Sequence, residues 1–198
     1  MQTKTTYGKS PWIDLFPASR VPGYPRHRGH LDAEVAIVGG GLTGCATAYA
    51  FAAAGIKVAL LDAVQIGRGG SGTSTGWIAA DPGVSFLALE RAHGDREAHR
   101  AFQMWRRAAL DMAALVRRLD LKCQLTAAAT AQVALTREAA VVLTREQKAR
   151  RAAGLDATLQ NARATAADLA VAAPAGIRTR DGATLDPYRA TLGLAAAA

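Results

Sequence analysis

Apolar residues fall into recognisable runs along the chain. Residues 33–38 (Ala-Glu-Val-Ala-Ile-Val) and 57–61 (Lys-Val-Ala-Leu-Leu) are short, apolar and partly β-branched, as parallel strands buried on both faces are. Between them, residues 42–54 are alanine-rich and helical, with Gly55 as a C-cap candidate. Strand, glycine cluster, helix, glycine and strand make one βαβ unit of about 30 residues. Further on, apolar positions recur at 98, 101, 102, 105, 108, 109, 112, 115, 116 and 119, a single helical stripe. Arg100, Arg107, Asp111 and Arg118 lie opposite, and Trp105 and Met112 on the stripe are expected in the core. Residues 130–136 alternate weakly and predict a strand, and 138–153 predict a helix ending at Gly154. Residues 155–175 fit no single period. Residues 176–185 read as a short hairpin or strand with an Asp-Gly turn. Asp186-Pro187 then opens a last helix, with Asp as N-cap and Pro at N1.

Ahead of the βαβ unit, residues 1–30 carry Pro11, Pro17, Pro22 and Pro25 with Trp12, Phe16 and Tyr24 between them. The prolines predict an extended lead-in without helix, and the aromatics predict that it lies across a folded surface. With 198 residues and 50% hydrophobic content, the chain can bury one sizeable core or one core and part of a second. Alanine fills 46 positions, a bias that carries no motif.

The net charge is +8, of which residues 100–198 carry +7. No basic run exceeds two residues (Arg106-Arg107, Arg117-Arg118, Arg150-Arg151), and none has interleaved aromatics, so nucleic acid is not the expected partner. Cys45 and Cys123 make neither a disulfide framework nor a zinc site and are expected in the core. His27, His30, His93 and His99 have no ligand-set spacing and read as surface residues, so no metal is expected. The polar segment Met1–Asp14 has no signal-peptide core and no run is long enough to span a membrane, which predicts a soluble cytoplasmic chain.

The strongest chemical signal is Gly39-x-Gly41-x-x-Gly44, with Ala48 four residues on. Gly39 permits the tight turn out of the strand. Gly41 lets the backbone approach a pyrophosphate, and Gly44 lets the helix pack against the sheet. The amides of Leu42 and Thr43 at the helix N-terminus then face the phosphates, aided by the helix dipole. Asp62, 18 residues past Gly44 at the end of the second strand, suits an adenosine ribose and would repel a 2′-phosphate. No Gly-Lys-Ser/Thr follows, so this is not a triphosphatase loop. The unit by itself leaves FAD and NAD open. The loop at 67–76, with Ser71, Thr73, Ser74 and Thr75, suits a second part of a long cofactor. Ser71 has no nucleophile-elbow context. Arg178, Arg180 and Tyr188 could in principle face a carboxylate substrate, but solvated side chains are the expected reading.

These residues resemble the N-terminal half of the FAD-dependent oxidoreductases of the D-amino-acid oxidase superfamily, in the glycine, sarcosine and γ-glutamylputrescine oxidase-like branch. Val35 to Gly44, Gly55 to Asp62 and Ile66 to Trp77 carry the likeness, with Ser10-Pro-Trp-Ile-Asp14 and Asp186-Pro187-Tyr188 in support. The resemblance implies an α/β fold: a Rossmann-like FAD-binding βαβ unit with a helical and partly β substrate-domain segment, incomplete relative to the family. The implied segments are a lead-in (1–30), the βαβ unit with its glycine/serine loop (31–82), a helical and partial substrate domain (83–175), and a strand and helix returning to the FAD domain (176–198). It implies that Gly39, Gly41 and Gly44 hold the FAD pyrophosphate, Asp62 the ribose, and Ser71 to Ser74 the ribityl and flavin side. The loop lacks the His or Cys that attaches flavin in some relatives, so non-covalent FAD is expected.

The implied activity is hydride transfer to flavin from the carbon beside the nitrogen of a small amine or amino acid. No catalytic side chain is assigned. Two other readings stay open at this point. One is a catalytically silent fragment that binds nucleotide weakly or needs a partner chain for the missing half. The other is an NAD-binding module.

Overall fold

The computed structural model describes residue 8 and residues 10–198. In chain order the elements begin with α1 (Pro11–Asp14), β1 (Val35–Val38), α2 (Leu42–Ala53), β2 (Val58–Leu61) and β3 (Trp77–Ile78). Next come α3 (Phe86–His93), α4 (Asp95–Arg118), β4 (Thr126–Ala127), β5 (Thr130–Ala134) and α5 (Arg137–Ala152). The chain closes with β6 (Thr158–Asn161), α6 (Ala162–Leu169), β7 (Ala175–Thr179), β8 (Ala183–Thr184) and α7 (Pro187–Ala197). It divides into two compact units, one of residues 1–76, 116–125 and 185–198, the other of 77–115 and 126–184.

The first unit is built on the βαβ motif. β1 and β2 pair in parallel, with Val35 opposite Val58 and Val38 opposite Leu61. The Gly39 N–H extends the ladder to the Leu61 carbonyl at 2.7 Å. α2 packs on this sheet and against α7. Its alanines and Cys45 allow close approach: Cys45 and Ala48 are buried, as are Tyr188, Ala190, Leu192 and Leu194 of α7. Asp186 caps α7 by accepting the Arg189 N–H at 3.0 Å, as Asp-Pro predicts. The lead-in differs from its expectation. Pro11 opens the single turn of α1, and residues Ala18–Arg20 form a 3₁₀ turn. Proline at the first helical position loses no hydrogen bond that the helix could have made. Both cysteines are buried free thiols.

The second unit holds two small antiparallel sheets. β7 is the centre of one, with β5 and β6 on either side, and Ile177 sits opposite both Gln132 and Leu159. Leu143 of α5 covers Ile177 together with Ala134, Ala157 and Ala175. β8 lies between β3 and β4 in the other sheet. Of the hairpin or strand expected over 176–185, the strand forms as β7 and the hairpin does not, because β7 and β8 belong to different sheets. Asp181 takes a left-handed conformation (φ 64°), which aspartate tolerates, and turns the chain out of one sheet toward the other.

α3 is an element that the periodicity does not reveal. The Ser85 side chain caps it by accepting the Ala88 N–H, and Gly94 (φ 86°) separates it from α4. Thr136 and Asn161 cap α5 and α6 in the same way, and the ambiguous stretch resolves into β6 and α6. Trp105, expected in the core, is 51% exposed, with its Nε1–H donating to the Ala79 carbonyl at 3.0 Å. An indole with its polar edge bonded is stable half in and half out.

A charged cluster lies under the start of α3. Glu146 Oε1 accepts the Phe86 N–H and the Arg150 Nε–H, both at 2.6 Å. Its Oε2 accepts from Ser85 Oγ at 2.7 Å and from the Leu87 N–H at 3.2 Å. Arg150 also pairs with Asp81, and its guanidinium stacks 5.0 Å from the Phe102 ring centroid.

Candidate functional site

The glycine cluster turns the chain from β1 into α2. Gly39 adopts φ 108°, which a side chain disfavours, and nothing lies within 4 Å of where its Cβ would be. A Cβ on Gly44 would overlap the Gly39 carbonyl oxygen, so this contact between strand end and helix requires glycine. A Cβ on Gly41 would meet only Ser71 Oγ, at 3.1 Å. The α2 amides of Thr43 and Gly44 and the amide of Gly41 have no hydrogen-bond partner among the described residues. The turn thus presents free N–H donors beside open space, at the positive end of a helix of 12 residues.

Two side chains from elsewhere in the chain complete the turn. Asp62, just past β2, places Oδ2 2.7 Å from the Gly40 N–H and Oδ1 2.8 Å from the Val64 N–H. The backbone amides of Val64 and Gly40 hold its carboxyl below the usual aspartate range. Ser71 Oγ accepts the Leu42 N–H at 2.7 Å. Since Gly41 has no side chain, Ser71 acts as the helix cap from 29 residues away. With its oxygen engaged as acceptor, the Ser71 hydroxyl keeps its own proton for another partner.

Of the expected site residues, Gly39, Gly41, Leu42, Gly44, Asp62 and Ser71 are gathered around one turn. Thr43 lies in the first turn of α2 and is exposed; its carbonyl accepts Thr47 Oγ1–H at 2.8 Å. Thr73 and Ser74 make local bonds instead. Thr73 Oγ1 donates to the Gly70 carbonyl at 3.3 Å, and Ser74 Oγ accepts the Gly76 N–H at 3.2 Å.

Gly40, Ile66 and Gly67 lie within the segments that carry the family likeness, but the motif assigns them no role. Gly40 is buried against Ile66 and Asp62, and its carbonyl accepts the Gly67 N–H at 2.8 Å. Their signal is the third glycine inside the motif and the Ile-Gly step that opens the following loop. Tyr188, expected in solvent, is fully buried with its ring edge against Gly67. Arg178 pairs with Asp168 at 3.1 Å, and the Arg180 N–H donates to Asp156 Oδ2 at 2.9 Å. A cleft of about 460 Å³ lies elsewhere in this unit, lined by Ser10, Ile13, Phe16, Val21 and Arg68 among others, and it lacks the amide donors of the turn.

The family model described as FAD dependent oxidoreductase (DAO) matches residues 34–198. The chain belongs to this family. Probable oxidoreductase OrdL of Rhizobium meliloti (strain 1021) is 37% identical over 83 residues, covering 42% of this chain and 19% of that protein. Glycine oxidase from Geobacillus kaustophilus superposes with a TM-score of 0.69 at 22% identity, over 83% of this chain and 44% of that one. L-amino acid deaminase from Proteus vulgaris superposes with a TM-score of 0.66 at 17% identity, over 88% of this chain and 40% of that one. The structural likeness gives the fold, and the chain spans under half the length of these proteins.

FAD is the cofactor of the family, and the turn fits the diphosphate of such a group. The space beside Gly39 is open, a Cβ at Gly41 would meet only Ser71 Oγ, and the amides of Gly41, Thr43 and Gly44 have no partner among the described residues. Cys45, in the next turn of α2, does not compete as a reactive group. Burial, and then the nearby negative charge of Asp62, push its thiol up to about 11. Among the described residues no helix is long and apolar enough to cross a membrane.

Proposed function

We propose that this chain binds FAD non-covalently and serves the FAD-dependent oxidation of a small amine or amino acid. The observation that carries this is the convergence of Asp62 and Ser71 on consecutive parts of one glycine turn, with the Gly41, Thr43 and Gly44 amides left free. In this reading Gly39 and Gly41 leave room for the diphosphate and Gly44 seats the helix. Leu42 and Thr43 start the helix whose dipole faces the negative charge. Asp62, held in place by two amides, accepts from the adenosine ribose, and the Ser71 hydroxyl donates toward the cofactor. Thr73 and Ser74 line the ribityl side after rotation of their exposed hydroxyls. When bound, FAD supplies a hydride acceptor for the carbon next to an amine nitrogen. The amino-acid substrate class rests on family membership and on the names of the glycine oxidase and deaminase neighbours.

A purified chain that is yellow, absorbing near roughly 450 nm, or that takes up added FAD stoichiometrically, is the expected result. A colourless chain that takes up no FAD overturns the reading, and NAD uptake without flavin would replace it with a nicotinamide module.

Asp62→Asn is expected to weaken FAD binding by about 10- to 100-fold, the worth of one or two hydrogen bonds to a charged group. The pH dependence follows the sign of the Asp62 shift. Its carboxyl is held below the usual range, so affinity is full above that range and falls only as pH drops through the lowered value. Fluorescence titration of FAD between neutral and acidic pH checks this, and Asp62→Asn should remove the acidic limb.

A second reading concerns turnover and rests on the bare side of the β1–β2 sheet. Val38 is 87% exposed, with Leu61 and Val64 also exposed, whereas parallel sheets are normally covered on both faces. We infer that turnover requires further polypeptide over this face. Amino-acid oxidation by the 198-residue chain alone, at a rate unaffected by any added protein, would sink this second reading.

A further inference from the structure

The segment that precedes the βαβ unit touches the cofactor loop from outside. Ser10 Oγ–H donates to the Gly72 carbonyl. The Trp12 Nε1–H donates to the Ser74 carbonyl at 2.9 Å. Ile13 lies against Gly72, close enough that a Cβ there would meet it at 2.8 Å. Phe16 sets its ring edge-on to Tyr188, with centroids 5.3 Å apart at 89°, and the Arg189 guanidinium lies 5.3 Å from the Phe16 centroid. All these residues belong to the first unit.

The loop's own bonds are short-range, from the Gly72 N–H to the Gly69 carbonyl, the Ser74 N–H to the Ser71 carbonyl and Thr73 Oγ1–H to the Gly70 carbonyl, and α7 packs on it as well. Gly67, Gly69, Gly70 and Gly72 alternate with small or flexible residues, and such a stretch loses much backbone entropy when it orders. Yet it must place one atom well, because Ser71 Oγ caps α2 at Leu42 from within the 3₁₀ turn Gly70–Thr73. Of the two carbonyls fixed by the strap, that of Gly72 lies within this turn, one residue past Ser71, and that of Ser74 directly follows it. We propose that residues 10–16 are a strap that sets FAD affinity by fixing Ser71, with Ser10 and Trp12 as positioning residues. This rests on the FAD reading above. The strap touches the loop through two donors and an apolar contact, and Ser71 is the side chain by which the loop reaches the glycine turn, beside the backbone bond from the Gly67 N–H to the Gly40 carbonyl.

The test uses the full chain and a double-mutant cycle. Trp12→Phe keeps a ring and loses the donor, and Ser10→Ala loses the other donor. Together they are expected to weaken FAD binding about 10-fold, measured by flavin fluorescence. Ser71→Ala alone is expected to weaken it by a similar factor. Placed in the Ser71→Ala chain, the strap changes should add less than twofold further, because they act through the residue already removed. Fully multiplicative effects would overturn the proposal, since they would mean a general loss of structure. Amide exchange of the FAD-free chain tests the strap without the cofactor. In Ser10→Ala/Trp12→Phe, exchange at Leu42 and across 70–74 should rise at least fivefold while the rest of α2 is unchanged. Unchanged exchange at Leu42 would overturn the strap even if FAD binds, and failure of the parent chain to bind FAD would overturn the cofactor reading and with it the effect on affinity, while raised exchange at Leu42 would still show that the strap fixes Ser71.

Discussion

Gly44→Ala is expected to abolish measurable FAD binding. The new methyl would fall on the carbonyl oxygen of Gly39, and backbone atoms stand on both sides of the clash. Neither can swing aside as a side-chain tip would, so α2 must move off the end of β1. Overpacking of this kind costs about 1–3 kcal/mol of stability, and more where no relaxation is available. The functional loss is larger than the stability loss, because the free amides of Gly41, Thr43 and Gly44 move with the helix. Losing alignment of two charge-assisted bonds corresponds to a drop of about 100-fold or more. FAD titration and thermal unfolding of the same sample check both parts. An alanine variant that still binds FAD like the parent would mean that the close strand–helix contact is not what forms the site.

The second large effect is expected at Arg150, in the other unit. Its side chain is 4% exposed and neutralises two carboxylates, Glu146 and Asp81. Arg150→Met keeps the volume along the Phe102 ring but leaves the buried Glu146 and the partly exposed Asp81 without a cation. Removing one partner of such a cluster costs about 3–5 kcal/mol. It should appear as a lower denaturant midpoint. Glu146→Gln is also expected to be strongly destabilising, since an amide offers one acceptor where the carboxylate serves four donors. Burial raises the Glu146 carboxyl, but bonds from Ser85, Phe86, Arg150 and Leu87 outweigh it, and the net direction is down. Its stabilising contribution is therefore complete above the ordinary glutamate range and is lost as pH falls through the lowered value. Acid unfolding followed by circular dichroism should shift to higher pH in Arg150→Met.

What is legible in the chain follows the range of the interactions involved. β1, α2, β2 and the glycine turn are encoded within about 30 adjacent residues, and the structure places them there with small shifts at the ends. Asp62 is legible because the length of one βαβ unit fixes its distance from the turn. The family likeness is carried by the same local motifs. Ser71 reads as a cofactor residue, but its bond to Leu42 does not show, since nothing local joins positions 29 residues apart. Thr73 and Ser74 look equivalent to Ser71 in the sequence, and only the sense of the 3₁₀ turn distinguishes them. The Asp-Gly step at 181–182 is a good hairpin signal, and it fails because both strands find other partners in separate sheets. Tyr188 and Trp105 exchange their expected places for a similar reason. Burial there is decided by α7 meeting Gly67 and Phe16 in one case, and by a carbonyl acceptor at Ala79 in the other. The Ser85 cap and the Gly94 break of α3 are present in the chain, but the element is only two turns long and its apolar positions form no sustained stripe.

Cys45 and Cys123 share a practical consequence. Both are sealed from water, both carry raised thiol pKa values, and both lie in the unit that contains the glycine turn. An alkylating reagent can therefore react only with molecules in which that unit has opened. The rate of maleimide labelling becomes an intrinsic gauge of opening of the unit that holds the glycine turn, with no engineered probe and no contribution from Glu146 and its neighbours.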